Sequence, residues 1–413
     1  MLALALLTLP VGSPAMRHGV VFDAGSSGTR IHVYTWRTGG GGPKDQFDLV
    51  EDDILKSKPG LSAFKDRTAE AGSSLAPLIA HAKGKIPAEL ISSTPVFLMA
   101  TAGLRMVGEE AKDAILRSVC AELSSSGFLF RCEWATLLDG RDEGLYGWVT
   151  VNYLLDTLYG SSPSQGRQPV GTIDLGGGSV QIVFPADHGR GAPEGLSQSL
   201  DFAGRKHSIY VKSHLGYGLD AARTAVLDLL VSRPQSTARP IRHPCLPQGA
   251  VLTHKGSELV GDGDWGRCLK LQQRLFDRSA ACAYPSCAWG GTYQPPLPAS
   301  FFGFSYLYDR VAAIGLIDGH PAQYGSQSTS RAEISVGGAS LCSLDATAVA
   351  SRYTTHPDGS KSANFCGDVA YIAALLGAFG FSDDAKLTMT NKIQVRATRQ
   401  RGPTLCRRSQ RRT

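Results

Sequence analysis

The sequence predicts an α/β protein of two similarly built domains with a cleft between them. The first observation is a duplication. VVFDAGSSGTR at 20–30 and GTIDLGGGSVQ at 171–181 share one order: a β-branched run ending in Asp, a small-residue turn, and a second β-branched run. The second is length, because 413 residues, 42% apolar and 19% charged, furnish two ordinary cores. The third is the alternation of strand-like and helix-like segments that follows the first copy.

Residues 1–17 begin MLALALLTLPVGSPA, a short apolar stretch followed by small residues, which reads as a secretory signal without a basic n-region. A buried N-terminal segment is the competing reading. The stretch is too short to span a bilayer, and no transmembrane segment is expected elsewhere. The first domain is expected over 18–160, with strands at 20–22, 31–34 and 96–100 and helices near 109–123 and 143–158.

Each copy of the repeated motif reads as a β-hairpin. Its tip can bring backbone N–H groups to anionic oxygens, because glycine tolerates positive φ and carries no Cβ. Ser26, Ser27, Gly28 and Thr29 form one tip, and Gly176, Gly177, Gly178 and Ser179 the other. Asp23 and Asp174 sit where strand meets turn, a place for carboxylates to hold hydrated Mg²⁺ or Ca²⁺ against phosphate. Taken singly, an Asp-Gly-Ser turn or a GGGS run is an ordinary turn or linker. Two copies in one order point to an enzyme that clasps a polyphosphate between its domains.

TPVFLMATAGLRM at 94–106 reads as a strand leading into a small-residue loop, with Thr101 and Arg105 at its end. Glu109 and Glu110 then suit the first turn of a helix. LLDGRDEGLYGWVTVNYLL at 137–155 sets Asp142 and Glu143 ahead of Leu145, Trp148 and Val149 at helical spacing. Asp142 reads as an N-terminal helix acid and Glu143 as a carboxylate aimed into the cleft. SSPSQGRQP at 161–169 has linker composition, and 38–45 and 188–197 read as surface turns. The second domain is expected over 170–390, repeating the sheet with insertions, of which the Cys-rich stretch 245–291 is the largest.

Four segments in register, DAGSSGTR, ATAGLRM, LDGRDEGLYGWVTVNYLL and IDLGGGSVQ, resemble conserved regions of the apyrases. These are the nucleoside triphosphate diphosphohydrolases of the ecto-nucleotidase and Golgi nucleoside diphosphatase family, in the actin/hexokinase/chaperone ATPase superfamily. Later segments, including YVKSHLGYGLDAAR, CAYPSCAWGG, FFGFSYLYDR and NFCGDVAYIAALLGAFGF, extend the resemblance from about Val20 to about Ile393.

It implies two ribonuclease-H-like (actin-like) domains with a nucleotide cleft between them, and removal of terminal phosphate from nucleoside di- and/or triphosphates. Glu143 matches the general base, and Asp23 and Asp174 the aspartates that hold Ca²⁺ or Mg²⁺ largely through water. Ser179 and Gln181 match residues that help position the attacking water. The Ser26–Thr29 and Gly176–Ser179 turns match the phosphate loops, with Thr101 near the same water or phosphate. Arg105 reads as a structural ion-pair partner, and Tyr308 as the candidate to stack on the base. Alternation of Phe302, Phe304, Tyr306 and Tyr308 equally describes core packing.

Eight cysteines in the family-like region are expected to pair 120–132, 245–268, 282–287 and 342–366, which fits a secreted protein or the endomembrane lumen (ER/Golgi). Zinc is disfavoured, since no Cys-x-x-Cys pair or His cluster occurs. No asparagine begins an Asn-x-Ser/Thr pattern. The net charge of +6 belongs to the tail: 392–413 holds eight Lys/Arg and no acid, leaving the rest near −2. The tail also lacks the family's fifth conserved region. It is expected to be a frame-shifted or mis-spliced gene model, with a functional basic tail as the alternative. No nucleic-acid partner is expected. The rival functions are an exopolyphosphatase or guanosine pentaphosphate phosphatase, and a non-catalytic nucleotide-binding protein inactivated by its C-terminus.

Overall fold

The computed structural model describes residues 15–38, 48–158, 168–186, 193, 197–202, 205–232, 240–317 and 327–391. The signal-like stretch up to residue 14, the linker at 161–167, the tail from 392 and most of the two surface turns lie outside these residues.

The first sheet contains β1 (Ala15–Ala24), β2 (Thr29–Thr38), β3 (Asp48–Ser57), β4 (Val96–Ala100) and β5 (Ala135–Leu137), in the order β3-β2-β1-β4-β5. The first three form an antiparallel meander, and β4 and β5 add in parallel. Three helices accompany them: α1 (Ala76–Lys85), α2 (Ala102–Arg105) and α3 (Glu109–Ser125). Ile115, Val119 and Leu123 recur every four residues on α3 and are fully buried against the sheet, the stripe expected of an amphipathic helix. Glu109 and Glu110 occupy its first turn, where carboxylates favour the helix dipole.

Helix α4 (Gly140–Leu154) comes next and corrects the expected domain boundary. It packs on the second sheet, not the first, so Glu143 is carried by the second domain and the chain crosses over just after β5. Asp139 caps the helix by accepting the Arg141 amide N–H. Gly140 and Gly144, one turn apart, leave no side chain on the face that meets the strands Ser179–Pro185 and Arg205–Leu215, which lets the helix lie close to them.

The second sheet has seven strands: β6 (Gly171–Leu175), β7 (Ser179–Pro185), β8 (Ser197–Phe202), β9 (Arg205–Leu215), then after an insertion β13 (Phe301–Ser305), β14 (Ser328–Ser330) and β15 (Lys386–Met389). Its order is β14-β15-β13-β6-β7-β9-β8. The core set β9-β7-β6-β13-β15 repeats β3-β2-β1-β4-β5, including the antiparallel meander and the two parallel additions. The insertion follows α5 (Leu219–Val231) and carries a small sheet of β10 (Ile241–His243), β11 (Val251–His254) and β12 (Ser257–Gly261), then α6 (Trp265–Gln273).

Helices α7 (Tyr306–Ala313), α8 (Arg331–Cys342), α9 (Ala346–Arg352) and α10 (Phe365–Phe379) complete the domain. Ser330 and Glu333 form a capping box at the start of α8. Helix α10 is apolar on all sides because it is the centre of the core. Gly359–Phe379 is long and apolar enough to cross a membrane, yet 78% of its apolar window is buried inside the fold. The disulfides are Cys120–Cys132, Cys245–Cys268, Cys282–Cys287 and Cys342–Cys366, the pairing expected.

Candidate active site at the domain interface

The two hairpin turns meet tip to tip. Gly177 has no room for a Cβ, because Ser26 Oγ of the first tip and the Asp220 carboxylate fill that space. Each tip is in turn held from behind by a close-approaching glycine. Gly103 leaves only enough room for Ser26 Cα, which a Cβ would approach to 2.8 Å, and Gly218 lies directly on the Gly177–Gly178 backbone. Ser62 Oγ donates to the Ser26 carbonyl at 3.4 Å. The sequence brings small residues here because only they allow three backbones to converge.

Asp23 lies on β1 opposite Arg30 of β2 and accepts its Nη1 at 2.9 Å, with a third of each side chain exposed. Asp174 lies on β6 opposite Gln181 of β7 and is hydrogen-bonded by the Ser305 side chain. Burial pushes Asp174 up to about 6, with Ser305 pulling the other way and the Asp23 charge adding to the rise. Ser305 joins β13 to α7 at φ 58, a left-handed conformation unusual for a residue with a Cβ.

Glu143, in the first turn of α4, points at the same space. Its Oε2 accepts Arg105 Nη2 at 2.5 Å and Gln181 Nε2 at 3.2 Å. Gln181 also lies 2.7 Å from Ser179 Oγ and 3.0 Å from Ser213 Oγ, so one amide ties Glu143, β7 and β9 together. Its Oε1 is buried without a partner among the described residues, an acceptor available to a water proton. Burial, then the Asp174 charge, push Glu143 up to about 8 against the opposing pull of Arg105, with Asp23 adding to the rise.

Ser179 and Gln181 are almost fully buried, at 1% and 2% exposed. Thr101 is buried at the end of β4, its amide N–H donating to the Ala24 carbonyl at the end of β1. The Thr29 hydroxyl is buried, without a partner among the described residues.

Tyr308 is not brought to the cleft. It is 5% exposed and packs in the second-domain core. Tyr306 takes the cleft position instead. Its hydroxyl lies 3.4 Å from Asp220 Oδ2, and Arg310 lies over its ring at 5.1 Å. Phe302 is core, 1% exposed. Sequence reasoning also passed over Arg30, Ser213, Ser305 and Asp220. Arg30 and Ser213 become visible only once the strand register is known.

Three carboxylates, Asp23, Asp174 and Glu143, thus act on one another across a small space, with Arg30 and Arg105 as direct counter-ions. That surplus of negative charge, on hard oxygen donors, suits a divalent cation. Among the described residues no group of three or more His, Cys, Asp or Glu side chains is placed to hold a metal ion.

Comparison with known proteins agrees with this architecture. Residues 12–400 match the model of the GDA1/CD39 (nucleoside phosphatase) family. The chain is 34% identical over 393 residues to the ectonucleoside triphosphate diphosphohydrolase 5 of Mus musculus, spanning 91% of this chain and 84% of that one. It is 34% identical over 354 residues to a probable guanosine-diphosphatase of Aspergillus fumigatus, spanning 74% and 69%. Among solved structures, a nucleoside triphosphate hydrolase from Neospora caninum shares the fold, with a TM-score of 0.63 at 16% identity over 91% of this chain and 88% of that one. On the family match over nearly its whole length, with relatives of this identity, the chain belongs to the GDA1/CD39 (nucleoside phosphatase) family.

Proposed function

We propose that the protein hydrolyses the terminal phosphoanhydride bond of nucleoside di- and/or triphosphates by direct attack of water. The observation that carries this reading is the convergence of Glu143, Gln181 and Ser179 on the space between two opposed phosphate-loop hairpins. The backbone N–H groups of the two tips, with the Ser26 and Ser27 hydroxyls, receive the phosphate oxygens. Gln181 and Ser179 orient the water, and the Glu143 carboxylate takes its proton. Phosphoryl transfer spreads charge over the equatorial oxygens, so positioning and charge stabilisation supply most of the catalysis.

Asp23 and Asp174 would hold a hydrated Ca²⁺ or Mg²⁺, which neutralises phosphate charge when bound. Asp174 then stays ionised, since a cation opposes the effect of burial and like charge. The four disulfides support a secreted or endomembrane-lumenal location.

The test is phosphate release from ATP, ADP, UDP and GDP by the purified chain with Ca²⁺, Mg²⁺ or EDTA. Cation-dependent release is expected, and EDTA should abolish it. Preference for long-chain polyphosphate over every nucleotide would overturn the reading, as would tight nucleotide binding by folded protein without release.

A further inference from the structure

Arg105 and Glu143 belong to different halves of the molecule. Arg105 ends α2, which follows β4 of the first sheet, whereas Glu143 sits on α4 against the second. Their ion pair therefore bridges the cleft, and Arg105 Nη2 also reaches Ser179 Oγ at 3.4 Å. Both side chains are largely buried, at 13% and 17% exposed. Gly140 makes the slot in which the guanidinium lies. A Cβ there would collide with Arg105 Nη1 on one side and Ser213 Oγ on the other. A second cross-cleft pair, Lys58 with Asp358 at 3.3 Å, stands further out.

We infer that Arg105 is a positioning residue that aims the base from across the cleft, so that Glu143 reaches its working geometry only while the two domains are closed. The inference rests on the reading of Glu143 as the base. Oε2 is held from two directions, by Arg105 of the first domain and Gln181 of the second, and this fixes the carboxylate plane and leaves Oε1 for the water proton. Arg105 is also the one direct cationic partner of Glu143 among the described residues. Without it, the carboxylate faces Asp174 and Asp23 with no direct counter-charge, and it both wanders and holds its proton. Closure thereby becomes a condition for activation of water, and an open enzyme does not run the step.

The experiment is steady-state phosphate release from GDP with Mg²⁺ by the full chain, for wild type, Arg105→Met, Arg105→Lys, Gly140→Ala, Glu143→Gln and the Arg105→Met/Glu143→Gln double variant. Near-ultraviolet circular dichroism establishes that each is folded. Arg105→Met is expected to lower kcat by about 10²-fold with KM within about threefold, the scale of a misplaced catalytic group. The acid limb of kcat/KM should move to higher pH. Arg105→Lys should recover part of the loss. Gly140→Ala keeps every polar side chain of the site and should still lower kcat by about tenfold or more by displacing the guanidinium. The double variant should be no slower than Glu143→Gln, because the two residues act as a unit.

A kcat for Arg105→Met within threefold of wild type, a loss confined to KM, or losses that add in the double variant would each overturn the inference while leaving the functional reading intact. Folded wild-type protein that releases no phosphate from any nucleotide would overturn both.

Discussion

The two hairpins share a pairing pattern, and the partner facing each aspartate separates them. Opposite Asp23 stands Arg30, and opposite Asp174 stands Gln181. The first hairpin therefore neutralises its own aspartate, whereas the second offers an amide that bonds Glu143 and Ser179. On the function proposed above, both turns receive phosphate, and the residue facing the aspartate sets the second apart as the one joined to the base. The same division runs across the cleft. Arg105 and Lys58 come from the first domain, and Glu143 and Asp358 from the second, so the facing walls attract one another.

The contrast can be broken directly. Gln181→Ala should lower kcat by about 10²-fold with little change in KM, the size seen when one positioned donor is removed from a transition state. Arg30→Met should act the other way, raising KM or the cation requirement by about tenfold while kcat stays within about threefold. If both variants lose kcat equally, the division between binding and catalytic hairpins is wrong. Asp23→Asn should raise the half-saturating cation concentration by about 10–100-fold, read from a titration of activity with Mg²⁺ or Ca²⁺.

A smaller effect concerns pH. Glu143 carries a folded-state pKa above its unfolded value, so the native state binds the extra proton between about pH 4.5 and about 8. Stability contributed at this site is therefore lost as pH rises through that window. Glu143→Gln should consequently raise Tm at pH 8 in metal-free buffer and leave it nearly unchanged at pH 4. Equal shifts at both pH values would mean that the carboxylate is not perturbed.

The disulfides divide by exposure rather than by domain. Cys245, Cys268, Cys342 and Cys366 are 0–2% exposed and lie in one core cluster, while Cys132 and Cys282 are exposed. Mild reductant on native protein should open Cys120–Cys132 and Cys282–Cys287 first, as thiol alkylation with mass spectrometry would report. Replacing either buried bridge, whose loops span 23 and 24 residues, should cost about 3 kcal/mol.

Much of this was legible in the chain itself. The hairpins are local, so their strands, turns and aspartates follow from a few adjacent residues. The cysteines pair between sequence neighbours, and the carboxylate of Glu143 accepts from the Gln181 amide, which also lies on Ser179 Oγ. Three features were not legible, each for a physical reason. The allegiance of α4 depends on the glycine pair Gly140 and Gly144, whose flat face matters only against β7 and β9. Tyr308 was read from the resemblance. The strand ends at Ser305, whose φ of 58 turns the chain into α7, and on that helix Tyr308 falls in the core. Arg30 and Ser213 act through cross-strand partners, and register is a property of the sheet rather than of any one segment.

The central claim is that Glu143 activates water between the two cradles. It is tested most directly by comparing nucleotide binding, by calorimetry, with single-turnover phosphate release in wild type and Glu143→Gln. The account expects affinity within about threefold and a release rate lower by about 10²–10⁴-fold, the contribution of a general base. Release within tenfold of wild type by a Glu143→Gln protein that binds nucleotide normally would contradict it.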